Sequence, residues 1–374
     1  MMASSGEIVA RITRLRDAMD EHGLDAVVIA GNTEFQQKGY IRYYADWRLF
    51  GGTAYIIVAR RRDPILIMGY GAQAEWAKEL SAVPDTRAVL DKIEGVAAAV
   101  SEVAGGTGQI GIVGLGTVMP HADAVALRAK LSPCQVIDAT ELVESLWCIL
   151  SAEDRQEVAA SHATVALIFD AFRNALRPGR TERDIVAEAY GTAIRSGCME
   201  GVIHLNHDAK SGTRPATARI VERDDIYKMF MEFLTPSGYL IELGGCFSFK
   251  PPPRQWSAKF NLVSETIDSA IRETRPGMVA DDLVALIRGS YESAGFEIVG
   301  RRLWDFHGQG MHSLLRPFGL PGSRDPIKTH MMINIHPGIL TSDNLGISAT
   351  SNYLVTEDGG QALGDFTHRW HVVG

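Results

Sequence analysis

Two histidines in His204-Leu-Asn-His207 are the first side chains along the chain that could act together, because paired imidazoles ligate metals and move protons. They stand just before Asp208 and a Gly/Ser stretch, a context that reads as a polar turn rather than a ligand pair. Cys134, Cys148, Cys198 and Cys246 lie far apart and form no Cys-x-x-Cys pair. Neither a thiolate zinc site nor a disulfide framework is therefore expected. Cys198 and Cys246 have no activating neighbours and read as core residues. Pro251-Pro-Pro-Arg-Gln-Trp256 is stiff and cannot pair as a central strand, so it is expected to leave its sheet as a loop.

The elements that must position any chemistry belong to a globular chain of 374 residues, 46% hydrophobic and 22% charged, long enough for two domains. A net charge of -8 gives no attraction to phosphate backbones or anionic lipid, which excludes nucleic acid as an expected partner. No apolar run approaches the roughly 20 residues that span a bilayer, so no membrane is expected. The N-terminal residues show no basic segment followed by an apolar core, so the expected location is cytoplasmic.

Val9, Ile12, Leu15 and Met19 recur at helical spacing, and the helix is expected to stop near His22-Gly23. Asp25–Ala30 is a short apolar run bounded by Gly31-Asn32, a buried strand. Further strands are expected at Ala54–Ala59, Pro64–Met68 and Gln109–Val113, with helices at Ala72–Leu80, Ala122–Leu131 and Glu141–Leu150. That alternation predicts an α/β layer domain over residues 1–150. Ser151 with Glu153 and Asp154 reads as a helix N-cap opening a long helix to about Leu176, and a second domain over 151–374.

The second half contains a repeat. Arg177-Pro-Gly-Arg-Thr-Glu-Arg-Asp-Ile-Val-Ala187 resembles Arg275-Pro-Gly-Met-Val-Ala-Asp-Asp-Leu-Val-Ala285, and a helix precedes and follows each block. Two copies are too few for a solenoid, which needs at least three stacked units. A duplicated α+β unit folding into one pseudo-twofold domain is expected instead.

Several segments resemble the creatinase/aminopeptidase P/methionine aminopeptidase superfamily: Gly23-Leu-Asp-Ala-Val-Val-Ile29, Tyr43-Tyr-Ala-Asp-Trp47, Gly238-Tyr-Leu-Ile-Glu242, His307-Gly-Gln-Gly310, Met332-Ile-Asn-Ile-His-Pro-Gly338 and Tyr353-Leu-Val-Thr-Glu-Asp-Gly359. No single segment is specific; their order and spacing are. The resemblance implies an α/β creatinase-like N-terminal domain and an α+β pita-bread C-terminal domain.

Metallopeptidases of that superfamily hold two divalent cations with two Asp, one His and two Glu, whose hard oxygens bridge the ions. Carried over, the first Asp falls at Met231, or at Glu232 with one residue deleted in the following turn. The second falls at Glu242, the His is His307, and the two Glu fall at His336 and Thr350. The catalytic His of creatinase, which works without metal, falls near Thr213. The resemblance thus implies a pocket floor of Glu242, His307 and His336, joined by Glu232, His312 and Tyr239 as substrate contacts. It puts Arg254 and Trp256 on the pocket rim. It also puts Phe50, with Arg48 nearby, on a loop that reaches over the active site of a partner in a homodimer.

These residues predict a hydrolase without cofactor. His307 or His336 would activate a water, with Glu242 orienting it, to cleave a C–N bond of a small polar compound bearing a carboxylate. Peptidase activity is not expected from so altered a ligand set. The alternatives are one divalent transition metal held by Glu242, His307 and His336, a proton-abstracting lyase, and a non-catalytic binder.

Overall fold

In the computed structural model, which describes residues 3–69, 71–207, 212–301, 304–343, 345–364 and 368–374, helix and strand alternate as far as Trp147. The chain divides into two compact units. One runs to Trp147 and includes Met311–Ser313; the other comprises Cys148–Gly310 and Leu314–Gly374.

In the first unit, Ser4 caps α1 (Ser5–Glu21) by accepting a hydrogen bond from the Glu7 backbone N–H. The apolar runs follow as β1 (Ala26–Gly31), β2 (Ala54–Ala59) and β3 (Ile65–Met68), every residue of them buried, with α2 (Gly39–Ala45) between β1 and β2. Next come α3 (Gly71–Leu80), β4 (Asp85–Ala88), α4 (Lys92–Ala104) and β5 (Gln109–Val113). The unit closes with α5 (His121–Lys130), β6 (Gln135–Asp138) and α6 (Thr140–Trp147), so the last helix stops short of the expected Leu150. The sheet is mixed, in the order β4-β3-β2-β1-β5-β6. β1 pairs antiparallel with β2 and parallel with β5, so helices cover a sheet of continuous apolar strands.

The second unit opens on α7 (Ala152–Ala175), where Ser151 and Asp154 form a reciprocal capping box. Then follow α8 (Glu182–Arg195), β7 (Glu200–Asn206), β8 (Arg214–Pro215), β9 (Ile226–Leu234) and β10 (Leu240–Ser248). α9 (Arg254–Glu273), α10 (Ala280–Ser293) and β11 (Ile298–Arg301) begin the second copy. The ends of α7 and α9, the whole of α8 and α10, and the starts of β7 and β11 are each offset by 98 residues (273 − 175, 280 − 182, 293 − 195, 298 − 200). Both Arg-Pro-Gly turns put their glycine in the left-handed region, Gly179 at φ 87° and Gly277 at φ 93°, where a side chain would be strained. The pseudo-twofold duplication is thus present in the backbone as well as in the sequence.

The remaining strands are β12 (Phe306–Gln309), β13 (Leu315–Phe318), β14 (Met332–Ile335), β15 (Gly338–Thr341), β16 (Gly346–Ser348), β17 (Ser351–Thr356), β18 (Gly359–Ala362) and β19 (Trp370–Val372). They complete sheets ordered β19-β10-β9-β7-β8, β11-β15-β16 and β13-β12-β14-β17-β18. No helix among the described residues is long and apolar enough to cross a membrane.

Candidate metal centre

The β9–β10 hairpin supplies the carboxylates. Its turn is closed by the Thr235 N–H donating to Tyr239 O (3.0 Å) and the Gly238 N–H donating to Thr235 O (2.9 Å), with Gly238 at φ 93°. That turn sets the register: Glu242 stands opposite Glu232, and Leu243 opposite Met231. Directly opposed residues share a face, so Glu232 is the residue on the Glu242 side of the sheet and Met231 points the other way. Both glutamates are buried. Carboxylates placed opposite each other in a dry interior are destabilising without a compensating cation or hydrogen bonds.

β12, β14 and β17 supply the imidazoles. His307 pairs opposite Asn334, and Asn334 opposite Asn352, while Gln309 is two residues beyond His307. The two-residue strand period therefore puts His307, Gln309, Asn334 and Asn352 on one face. His336, two residues beyond Asn334, is fixed by its backbone N–H donating to Asp305 O at 3.0 Å. Between His307 and Gln309 a side chain has no room: a Cβ on Gly308 would lie 2.2 Å from Arg316 O.

Glu242, His307 and His336, all buried, each offer one ligand atom, and these atoms lie within 4.8 Å of one another. The His307 and His336 rings are 5.0 Å apart between centroids. His307 Nδ1 is 2.9 Å from Gly308 O, which can only accept, so Nδ1 carries the hydrogen. His307 Nε2 stands 3.6 Å from Glu242 Oε1. Two imidazoles and a carboxylate gathered in a dry interior suit a cation. Carbonyl anchoring of the remote nitrogen is also how ligand imidazoles are held in metal sites.

The donor set fits one ion: two imidazoles and one carboxylate with the remaining positions open. It does not fit the two-ion set implied by the resemblance. Met231 faces away, and Thr350 is a buried hydroxyl bridged to Gly244 on the backbone. Glu232 does not join the cluster of ligand atoms found among the described residues.

Each of the other sequence candidates has its own place in the fold. Arg254 and Trp256 are in the first turn of α9, not in a loop; the fixed φ of Pro253, −55°, suits a helix start and the prolines end there. Trp256 is buried against Trp370 (6.1 Å between rings), and Arg254 is exposed. Tyr239 is buried where the hairpin turn enters β10. In the first unit, Phe50 is 55% exposed beside Trp76, and Arg48 is half-buried. His312 is grouped with that unit, its ring edge-on to Tyr40 at 5.2 Å. His204 lies within β7, so the spacing to His207 does not converge on a ligand; Asp208 and the following stretch to Ser211 lie outside the described residues. No disulfide joins the four cysteines, and burial pushes the Cys246 thiol up to about 12, as suits a core residue.

Gln309, Asn334 and Asn352 are the site residues that the sequence reading missed. Their signal was present: His307-x-Gln309 and Asn334-x-His336 both carry the two-residue period of a strand face.

Residues 156–357 match the model of metallopeptidase family M24, and residues 11–149 match the creatinase/prolidase N-terminal domain. The sequence is 22% identical over 260 residues to a probable dipeptidase PepE of Mycobacterium tuberculosis, covering 68% of this chain and 67% of that protein. It is 23% identical over 237 residues to an Xaa-Pro dipeptidase of Lactobacillus helveticus, covering 62% and 63%. The fold is similar to that of dipeptidase PepE from Mycobacterium ulcerans (TM-score 0.83, 19% identity, 100% of both chains). It is also similar to X-Pro aminopeptidase from Thermotoga maritima (TM-score 0.84, 17% identity, 97% and 99%). Relatives named as dipeptidases, together with a buried Glu/His/His cluster suited to an ion, overturn the expectation of a metal-independent hydrolase without cofactor. The expectation that peptidase activity is absent does not hold either, since the matched family is one of peptidases. The chain belongs to the hydrolases of metallopeptidase family M24, joined to a creatinase/prolidase N-terminal domain.

Proposed function

We propose that this protein is a metal-dependent hydrolase that cleaves a peptide-type C–N bond in a small substrate, with one divalent ion held by Glu242, His307 and His336. The observation that carries the reading is the buried convergence of one ligand atom each from Glu242, His307 and His336 within 4.8 Å of one another, with His307 Nδ1 tied to Gly308 O. When bound, a divalent ion there supplies Lewis-acid polarisation and makes water nucleophilic near neutral pH. The chain's own residues supply the rest. His307 is held in one tautomer by Gly308, and His336 is held by Asp305. Glu232, buried on the Glu242 face, is the group suited to carry a proton to the departing nitrogen. The relatives' names point to dipeptides, Xaa-Pro dipeptides among them, as the first substrates to try.

The test is chelator-treated protein reconstituted with Mn, Co or Zn and assayed on a dipeptide panel, with metal content measured alongside. One ion per chain and activity restored by it are expected, both lost in Glu242→Ala. Hydrolysis that survives complete metal removal would overturn the reading. A homodimer in a cytoplasmic setting accompanies this proposal. The exposed Phe50, Trp76 and Leu80 support the association, and light scattering of the purified protein checks it.

A further inference from the structure

Glu242 Oε1 accepts a hydrogen bond from Gln309 Nε2 at 3.0 Å. A carboxamide can be turned end for end, and its far end decides which way it points. Gln309 Oε1 accepts from Asn352 Nδ2 at 3.0 Å and from Asn334 Nδ2 at a long 3.5 Å. With two donors on its oxygen, Gln309 must present N–H to Glu242. All three amides are buried, and they share the strand face that carries His307.

Asn334 Oδ1 and Asn352 Oδ1 are buried without a hydrogen-bond partner among the described residues. Leaving a buried acceptor unsatisfied costs about 1–3 kcal/mol. An amide cluster with only a packing role would turn to satisfy its own oxygens. This one is turned outward through Gln309 onto a single carboxylate oxygen.

Gln309 is itself no ligand: its oxygen holds two donors, and an amide nitrogen has no lone pair to give. We propose that Gln309, oriented by Asn352 and Asn334, is a positioning residue that fixes the Glu242 carboxylate for the ion, an inference that rests on the metal reading above. A glutamate has three rotatable side-chain bonds, and a donor held on one of its oxygens removes most of that freedom before the ion arrives. Outer partners of this kind change metal affinity by about 10–100-fold.

Gln309→Leu removes the donor at nearly constant volume, and Asn352→Ala leaves Gln309 in place but releases its oxygen. Cobalt(II) affinity is read by competition with a chromophoric chelator, and the visible spectrum of the cobalt-loaded protein reports the ligand geometry. Gln309→Leu is expected to weaken cobalt binding about 10–100-fold and to shift the spectrum. Asn352→Ala is expected to do both to a smaller degree, and it carries the test if Gln309→Leu fails to fold by circular dichroism. Wild-type affinity and spectrum in the folded variants overturn the clamp and leave the metal centre standing. A wild-type protein that takes up no cobalt overturns the metal reading, and the clamp with it.

Discussion

Glu182 and Glu242 are both buried glutamates of the C-terminal unit, and they are buried in opposite ways. Glu182, at the start of α8, is surrounded by donors: Arg214 at 3.0 and 3.3 Å, the Thr217 N–H and hydroxyl at 2.9 and 2.7 Å, and the Tyr227 hydroxyl at 3.3 Å. Burial pushes its carboxyl up, but the hydrogen bonds from Arg214 and Thr217 outweigh it and hold it at about 2. Its valence is closed. Glu242 accepts from the Gln309 amide and shares its pocket with two imidazoles whose ligand atoms converge with its own. Burial of a carboxylate therefore does not mark a site; what marks it is a set of neighbours able to ligate an ion together with it.

Substitutions can break that contrast. Glu242→Ala or His336→Ala is expected to lower turnover by about three orders of magnitude, the several kcal/mol that a Lewis-acid centre supplies, with the melting temperature held or raised. A variant that keeps its activity would remove Glu242 or His336 from the site. Arg214→Ala should do the reverse: a stability loss of about 2 kcal/mol in urea unfolding, from a buried carboxylate that loses the charged donor of a half-exposed arginine, and unchanged metal affinity.

The pH dependence sharpens the same point. The folded pKa of Glu182 lies below its ordinary 4.5, so its contribution is fully present above that value and is lost as pH falls toward about 2. Glu182→Gln cannot titrate, and its stability should fall less steeply across that window than the wild type's; parallel curves would show that Glu182 is not the group responsible. The smallest effect belongs to the cap of the helix that carries Glu182. Thr181 accepts from the Asp184 N–H at 3.1 Å, and Thr181→Ala should cost about 1 kcal/mol by thermal unfolding.

The sequence made the strands of the N-terminal unit legible because each is a short apolar run between turn residues; Ala54–Ala59 and Gln109–Val113 lie where the pattern puts them. The repeat was legible because two Arg-Pro-Gly turns need the same glycine conformation. The imidazoles could be named by motif. The choice between Met231 and Glu232 could not, because it depends on how many residues the Thr235–Gly238 turn absorbs, and a one-residue slip reverses the face. The prolines at 251–253 suggest a loop through Trp256, whereas proline at a helix entrance also starts one. The amide strip escaped because Gln and Asn are ordinarily surface residues, and only the pairing of three strands brings Gln309, Asn334 and Asn352 together.

The duplication has a consequence for how the protein is made. Glu242 lies in the first copy of the repeat, and His307 and His336 follow the helices of the second. Translation runs in one direction, so a ribosome-borne chain carries the carboxylate long before either imidazole has emerged. The centre cannot be completed until residue 336 is out and the two copies have met. Ion capture is thereby postponed to the end of synthesis, where it reports that both halves have folded together.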